Sequence, residues 1–222
     1  MTPGAPHVLV VAKAPVPGLA KTRLGDRVGM TPAADMAAAA LLDTLDACAS
    51  AFPPGHRHVA MTGDLARAAR HCDLVAALEG WRVFEQRGDS FAERLTHAHA
   101  DLGGAPVVQI GMDTPQVTGD LLAAASALLD RHEAVLGPAG DGGWWLLALR
   151  DPAWASVLRD VPASTPETGA LTRAALVGLG LDVGETVALR DVDDVEDARI
   201  VAAAAGQTRF ASAWLDVDGV AR

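Results

Sequence analysis

Lysine is nearly missing from this chain. Of 18 basic residues among 222, only Lys13 and Lys21 are lysines, and tyrosine does not occur. The bases are outnumbered by 28 acids, leaving a net charge of -10 and a pI of about 5.0. That balance argues against a polyanion-binding face, so neither nucleic acid nor an anionic membrane is an expected partner. Cysteine is scarce too: Cys48 and Cys72 cannot make a disulfide framework, and their Ala- and Leu-rich surroundings read as reduced, buried thiols of an intracellular protein. Long apolar runs are absent. Val8 to Ala12 is too short for a signal core, Met1 to His7 carries no basic stretch, and Trp144 to Leu149 is strand-sized. A cytoplasmic location without leader or membrane span is the expectation. Without repeats, low-complexity tracts or a Ser/Gly linker, one domain over residues 1–222 is expected.

Half of the residues are hydrophobic, enough for a sizeable core at this length. His7 to Val11 reads as a buried strand stopped by Ala14-Pro15-Val16-Pro17-Gly18. Thr31-Pro32 opens an alanine-rich helix over Ala33 to Ala51, ended by Pro53-Pro54-Gly55. Strands are expected at 58–62, 82–85, 106–110, 134–136, 144–149 and 183–189. Helices are expected at 64–78, from the capping box Ser90-Phe91-Ala92-Glu93 to 102, and at 119–131, 166–179 and 195–205. This alternation predicts βαβ units: an α/β fold whose mostly parallel sheet is covered on both faces, with ligands beyond the carboxyl ends of its strands.

Four loops at that edge carry chemistry. Ala12 to Gly25 holds Lys13, Lys21 and Arg23 without one acid, so it reads either as a phosphate-holding loop or as a solvated one. A chain that uses Arg almost everywhere keeps Lys where a compact point charge is needed. It has neither a Walker nor a Rossmann glycine pattern. Asp113, in Gly111-Met112-Asp113-Thr114-Pro115, suits a hard cation such as Mg²⁺ or Mn²⁺ bridging to diphosphate; equally it suits a turn before proline. Gly137 to Trp145 places four glycines around Asp141 ahead of two indoles. Strand alternation sends Trp144 and Trp145 to opposite faces, one to a site and one to the core. In Arg190 to Asp197, Asp193 or Asp194 caps the last confident helix, and one acid is free to turn inward beside Asp113. His97 and His99 cannot face one ligand together. Leu181 to Arg222, including Phe210 and Trp214 at helical spacing, is either part of the fold or a homodimer contact.

Together these motifs, Ala12-Lys13-Ala14-Pro15-Val16-Pro17-Gly18-Leu19-Ala20-Lys21-Thr22-Arg23-Leu24 foremost, resemble the DUF2064 family of the nucleotide-diphospho-sugar transferase superfamily, which includes glycosyltransferases proposed for arsenosugar biosynthesis. More distantly the chain is similar to phospholactate guanylyltransferases and molybdenum-cofactor nucleotidyltransferases. The resemblance implies a three-layer α/β/α Rossmann-like GT-A fold. It implies a nucleotide or nucleotide sugar held by Ala12, Lys13, Gly18, Lys21, Arg23, Arg94, Gly111, Asp113, Gly142, Gly143 and Trp144. It further implies Mg²⁺ or Mn²⁺ on Asp113 and Asp193. Two motifs depart from the family: its usual Ala-Glu-Asp-Gly-Gly-Tyr is Ala139-Gly140-Asp141-Gly142-Gly143-Trp144, and its usual Pro-Trp-Ser-Thr is Pro162-Ala163-Ser164-Thr165. Both fall where an acceptor would sit.

The leading expectation is a metal-dependent glycosyltransferase moving a sugar from a nucleoside diphosphate to a small-molecule acceptor. Lys21 and Arg23 would stabilise the leaving diphosphate, and Asp141 would orient or deprotonate the acceptor. The alternatives are a nucleotidyltransferase using the same pocket and a nucleotide-binding protein without turnover.

Overall fold

The computed structural model describes residues 4–218; Met1 to Pro3 and the last four residues, on which the reading of the N-terminus and the outer bounds of a 1–222 domain partly rest, lie outside them. Seven strands form one sheet: β1 His7–Lys13, β2 Arg57–Thr62, β3 Arg82–Glu85, β4 Val107–Ile110, β5 Ala134–Pro138, β6 Trp144–Leu149 and β7 Val183–Glu185. Their order is β3-β2-β1-β4-β6-β5-β7. All neighbours are parallel except those of β6, which runs antiparallel to β4 and β5. The expected α/β architecture with a mostly parallel sheet is what the chain adopts.

Strand alternation divides the core. Val8, Val10, Val108 and Ile110 face helix α2 (Met30–Ala51) and α5 (Gly119–Ala127). Leu9, Val11 and Val107 face the other way, onto α4 (Phe91–Ala100), the 3-10 helix Pro152–Asp160 and α6 (Thr168–Gly178). On the first side lie also α1 (Thr22–Val28), packed on α2, and α3 (His71–Ala77). The expected helix over 64–78 is broken into a 3-10 turn and α3. The expected strand over 183–189 keeps regular pairing only to Glu185.

The C-terminal segment belongs to the fold. After α7 (Val195–Ala204), helix α8 (Arg209–Asp218) puts Phe210 and Trp214 onto Leu24, Met36 and Ala40. Asp43 of α2 accepts hydrogen bonds from the Arg209 and Phe210 backbone N–H groups at 3.0 and 2.9 Å, satisfying the donors of that helix end. Burying the two aromatics contributes about 2 to 3 kcal/mol each. Cys48 is buried as expected, but Cys72 is exposed on the first turn of α3, whose inward position is taken by Leu74. No described helix is long and apolar enough to cross a membrane.

Two histidines are held neutral inside. Burial lowers the pKa of His99 to about 4, only partly opposed by its bond to Gln109. His58 is also lowered to about 4, by burial and by the neighbouring charges of His7, Arg82 and His56. Each folded value lies below the ordinary 6.5, so the folded state binds fewer protons than the unfolded chain. Their contribution is present above about pH 6.5 and is lost as the pH falls toward 4. For His99 alone the loss is ~2 kcal/mol by pH 5. The urea midpoint is expected to be lower at pH 5 than at pH 7, where carboxylates still carry most of their charge; equal midpoints would show that these rings accept protons inside the fold.

Candidate functional site

A cavity of about 760 Å³ opens at the carboxyl edge of the sheet. Lys13, the last residue of β1, borders it and is exposed. The following loop was expected to be irregular through Gly25, but it winds into α1 at Thr22, and Lys21 takes the N-cap position with φ 50° and ψ 47°. Left-handed backbone at a residue with a Cβ costs roughly 1 to 2 kcal/mol. In this conformation the lysine side chain is only 12% exposed.

There its ammonium lies 2.9 Å from Asp113 and 3.1 Å from Asp193. Burial alone would lower the Lys21 pKa; the two carboxylates outweigh it and the pKa is raised. Arg23 stays 83% exposed and approaches Asp193 only to 4.0 Å, so it is a solvated cation at the cavity mouth.

Backbone bonds explain how residues 80 apart in sequence meet. Asp113 follows β4 after Gly111, which borders the cavity, and its carbonyl accepts the Val192 N–H at 2.9 Å. Leu189 N–H donates to Pro138, and Gly140 N–H donates to Leu189, tying the late loop to the β5–β6 hairpin. Asp194 and Asp197 form the capping box of α7, and Asp197 also pairs with Arg190. With those acids engaged, Asp193 is the one that reaches Lys21. Asp191 belongs to the run from which one acid is expected to turn inward, and it too lines the cavity. Burial and the nearby charge of Asp141 push its pKa up to about 6. No sequence spacing signals this, because its placement depends on the Val192 to Asp113 bond.

Two of the glycines stand apart from the cavity. Gly18, at φ 77°, shapes an exposed turn and does not border the cavity. Gly142, at φ 89°, does not border it either: a Cβ there would stand 2.1 Å from the Pro166 carbonyl oxygen. Gly169 N–H donates to the Gly142 carbonyl at 2.8 Å, so this close approach docks α6 on the hairpin. Backbone packing by itself therefore requires glycine at position 142. Gly142→Ala is expected to cost about 2 kcal/mol or more, ~4 °C or more in Tm, whereas Gly140→Ala, whose Cβ would make only ordinary contacts at 4.0 Å with Arg190 Cα and Leu189 O, stays within ~0.5 kcal/mol. Thermal unfolding of the pair checks this; equal midpoints would contradict it. Gly143 does border the cavity, and its N–H holds Asp141 Oδ1 at 2.7 Å.

The remaining wall comes from the other face of the sheet. Trp144 is half-buried at the cavity, its indole N–H donating to Thr172 Oγ1 at 3.2 Å. Trp145 is 3% exposed and packs in the α2-side core, its N–H donating to Val187 O. Arg94, on α4, also borders the cavity, across the sheet edge from α1. The structure thus brings Ala12, Lys13, Lys21, Arg23, Arg94, Gly111, Asp113, Asp141, Gly143, Trp144 and Asp193 to one cavity and leaves out Gly18 and Gly142.

Among solved structures, the fold is similar to that of a protein of Desulfovibrio desulfuricans G20 described as a "putative nucleotide-diphospho-sugar transferase". The identity is 27% and the TM-score 0.75, over 89% of this chain and 86% of that one. A cytidylyltransferase of Leptospira borgpetersenii shares the fold at 14% identity and TM-score 0.58, covering 89% of this chain and 85% of that one. CMP:2-keto-3-deoxy-manno-octonic acid synthetase, solved with CTP, does so at 14% identity and TM-score 0.56, covering 92% and 99%. These neighbours fit the GT-A-like architecture. A search of curated proteins returns no match. The profile described as "Uncharacterized protein conserved in bacteria (DUF2064)" matches residues 44–165, which include Arg94, Asp113 and Asp141. With more than half of its length matched, the chain belongs to the DUF2064 family.

Proposed function

We propose that this protein is a metal-dependent glycosyltransferase that moves a sugar from a nucleoside diphosphate to a small acceptor. The observation that carries the reading is the convergence of Asp113 and Asp193 on one buried cation, at 2.9 and 3.1 Å, in a cavity that also holds Lys13 and Arg23. The likeness to the Desulfovibrio protein supports a sugar donor.

Mg²⁺ or Mn²⁺ fits this donor set. Both ligands are carboxylates, both reach a single point now taken by an ammonium, and no third carboxylate, histidine or cysteine completes a protein-only cage among the described residues. Two carboxylates with diphosphate oxygens and water filling the rest is the usual arrangement for such an ion. When bound, it would neutralise charge growing on the leaving diphosphate. Lys21, released from its two carboxylates, would turn to the phosphates, with Lys13 and Arg23 adding charge at the mouth. The acceptor hydroxyl oxygen forms a bond to the anomeric carbon of the sugar. The bond from that carbon to the phosphate oxygen breaks, its electron pair leaving with the diphosphate. Asp141, steadied by the Gly143 N–H, would accept the hydroxyl proton.

The test is incubation with a panel of nucleotide sugars and nucleoside triphosphates with Mn²⁺ or Mg²⁺. Nucleoside diphosphate release from a nucleotide sugar is expected. Pyrophosphate release from a triphosphate would point to nucleotidyl transfer, and binding without release to a protein without turnover.

A further inference from the structure

Every arginine among the described residues that is not exposed has hydrogen-bond partners, with one exception. Arg57, Arg70 and Arg150 are each held by carbonyls or a carboxylate. Arg94 is held by none: it is partly buried, its Nε is shut off from solvent without a partner, and its guanidinium makes no ion pair with any described residue. Its Cζ stands over the Phe91 ring, 5.9 Å from the ring centroid. The acid beside it, Glu93, is committed to the α4 capping box, accepting from the backbone of Asp89 and Ser90. Desolvating a cation without a counter-charge is costly, and such a group is compensated when an anion arrives.

A second donor lies on the same side. Gln109, 2% exposed, projects from β4 to the α4 face and lines the cavity. Its Oε1 lies 2.8 Å from His99 Nε2. His99 is fully buried and neutral, and its Nδ1 has no partner. Placing the ring proton on Nε2 leaves an unpaired lone pair at Nδ1 instead of an unpaired N–H, the cheaper defect. Nε2–H therefore donates to Gln109 Oε1, and the carboxamide NH₂ remains as an uncommitted donor at the cavity floor. Phe91, Leu95, Leu158 and Trp144 add apolar surface to the cavity, and its neutral hydroxyls there come from Thr165, Thr168 and Thr172. The cavity's acids come from the loops after β4, β5 and β7, and none comes from α4.

We infer that Arg94 and Gln109 form an oxyanion subsite, so that the second substrate carries a carboxylate or phosphate bound on the α4 face, across the sheet edge from Lys21. This rests on the transferase reading for its role, though not for the anion binding itself. It differs from the expectation that Arg94 adds charge at the nucleotide.

The test compares glycerol, glycerate and glycerol 3-phosphate, titrated by ligand-observed NMR into the protein alone and into protein saturated with Mn²⁺-free nucleoside diphosphate. At least one of the two anions is expected to bind tenfold or more tighter than glycerol. Preference for glycerate identifies a carboxylate and preference for glycerol 3-phosphate a phosphate. Arg94→Gln should remove that advantage, Arg94→Lys should restore part of it, and Gln109→Leu should weaken it about tenfold; circular dichroism confirms folding of each variant. Nucleoside diphosphate affinity should change less than threefold in Arg94→Gln. An equal affinity for all three probes, or an Arg94→Gln loss confined to the nucleotide, overturns the subsite. If no nucleotide binds the wild-type protein, the transferase reading fails, and the nucleotide-free titrations still decide the anion subsite.

Discussion

Lys21→Met is expected to lower the melting temperature in metal-free buffer by roughly 3 to 6 °C and to make the protein respond to Mn²⁺ alone. The ammonium holds Asp113 and Asp193 together at 2.9 and 3.1 Å. Removing it leaves two carboxylates facing each other across the space it filled. Breaking a fully buried pair costs about 3 to 5 kcal/mol, but these carboxylates are 41% and 46% exposed, so solvent screening reduces the loss to about 1 to 2 kcal/mol. A divalent cation can replace the missing charge, so Mn²⁺ without nucleotide should raise the melting temperature of the variant more than that of the wild type. Nucleotide affinity should fall in the same variant. Lys21→Arg should also lose affinity, because a planar fork cannot stand in for a point charge between two carboxylates in a tight loop. The deciding measurement is the Mn²⁺-induced thermal shift; equal shifts in variant and wild type would show that Lys21 does not occupy the cation position.

Asp113→Asn should abolish metal-dependent nucleotide binding and leave the fold intact. The carboxylate is 41% exposed, Lys21 keeps its bond to Asp193, and the Val192 N–H is held by the Asp113 backbone carbonyl, which the substitution does not alter. With the ligand charge gone, metal-assisted affinity should drop ~100-fold or more, since even removal of groups that merely support metal ligands costs 10- to 100-fold. Calorimetric titration of a nucleoside diphosphate with and without Mn²⁺ gives the readout: two superimposable curves for the variant and two separated ones for the wild type. A variant whose curves remain fully separated would remove Asp113 from the cation site.

Much of the scaffold was legible because local chemistry set it. The Ser90 to Glu93 capping box opens α4 where the spacing predicts, and Asp194 caps α7 with Asp197 answering it. The apolar strands β1, β4 and β6 stand within a residue or two of their expected limits, because continuous burial on both faces leaves few other options. What escaped depends on contacts between distant segments. The turn to α1 rests on a left-handed lysine, which no propensity predicts. The 3-10 helix Pro152–Asp160 buries Pro152, Ala155 and Leu158 at a spacing of three, a period too short-lived to stand out from α-helical patterning, and the strand after Val183 keeps its ladder with β5 only to Glu185, opposite Leu136. For the site, the meeting of Lys21, Asp113 and Asp193 was anticipated as a group. Their direct pairing was not, because whether a cation faces a ligand or a carboxylate is decided by loop closure. The backbone role of Gly142 was hidden for a related reason: a glycine needed for backbone docking looks, in sequence, like one needed for ligand approach.

The backbone bond from Val192 to Asp113 has a mechanical meaning. The two carboxylates that flank Lys21 sit next to the two ends of a single hydrogen bond, so their separation is gauged by the main chain and not by side-chain packing. The opposite wall is built from α4, Pro152–Asp160 and the residues ahead of α6, which adjoin this pair only across the cavity. One jaw of the cleft is thus a fixed caliper and the other is adjustable. Substitutions at Phe91, Leu158 or Thr165 can reshape what the cleft admits without altering the spacing at its charged end.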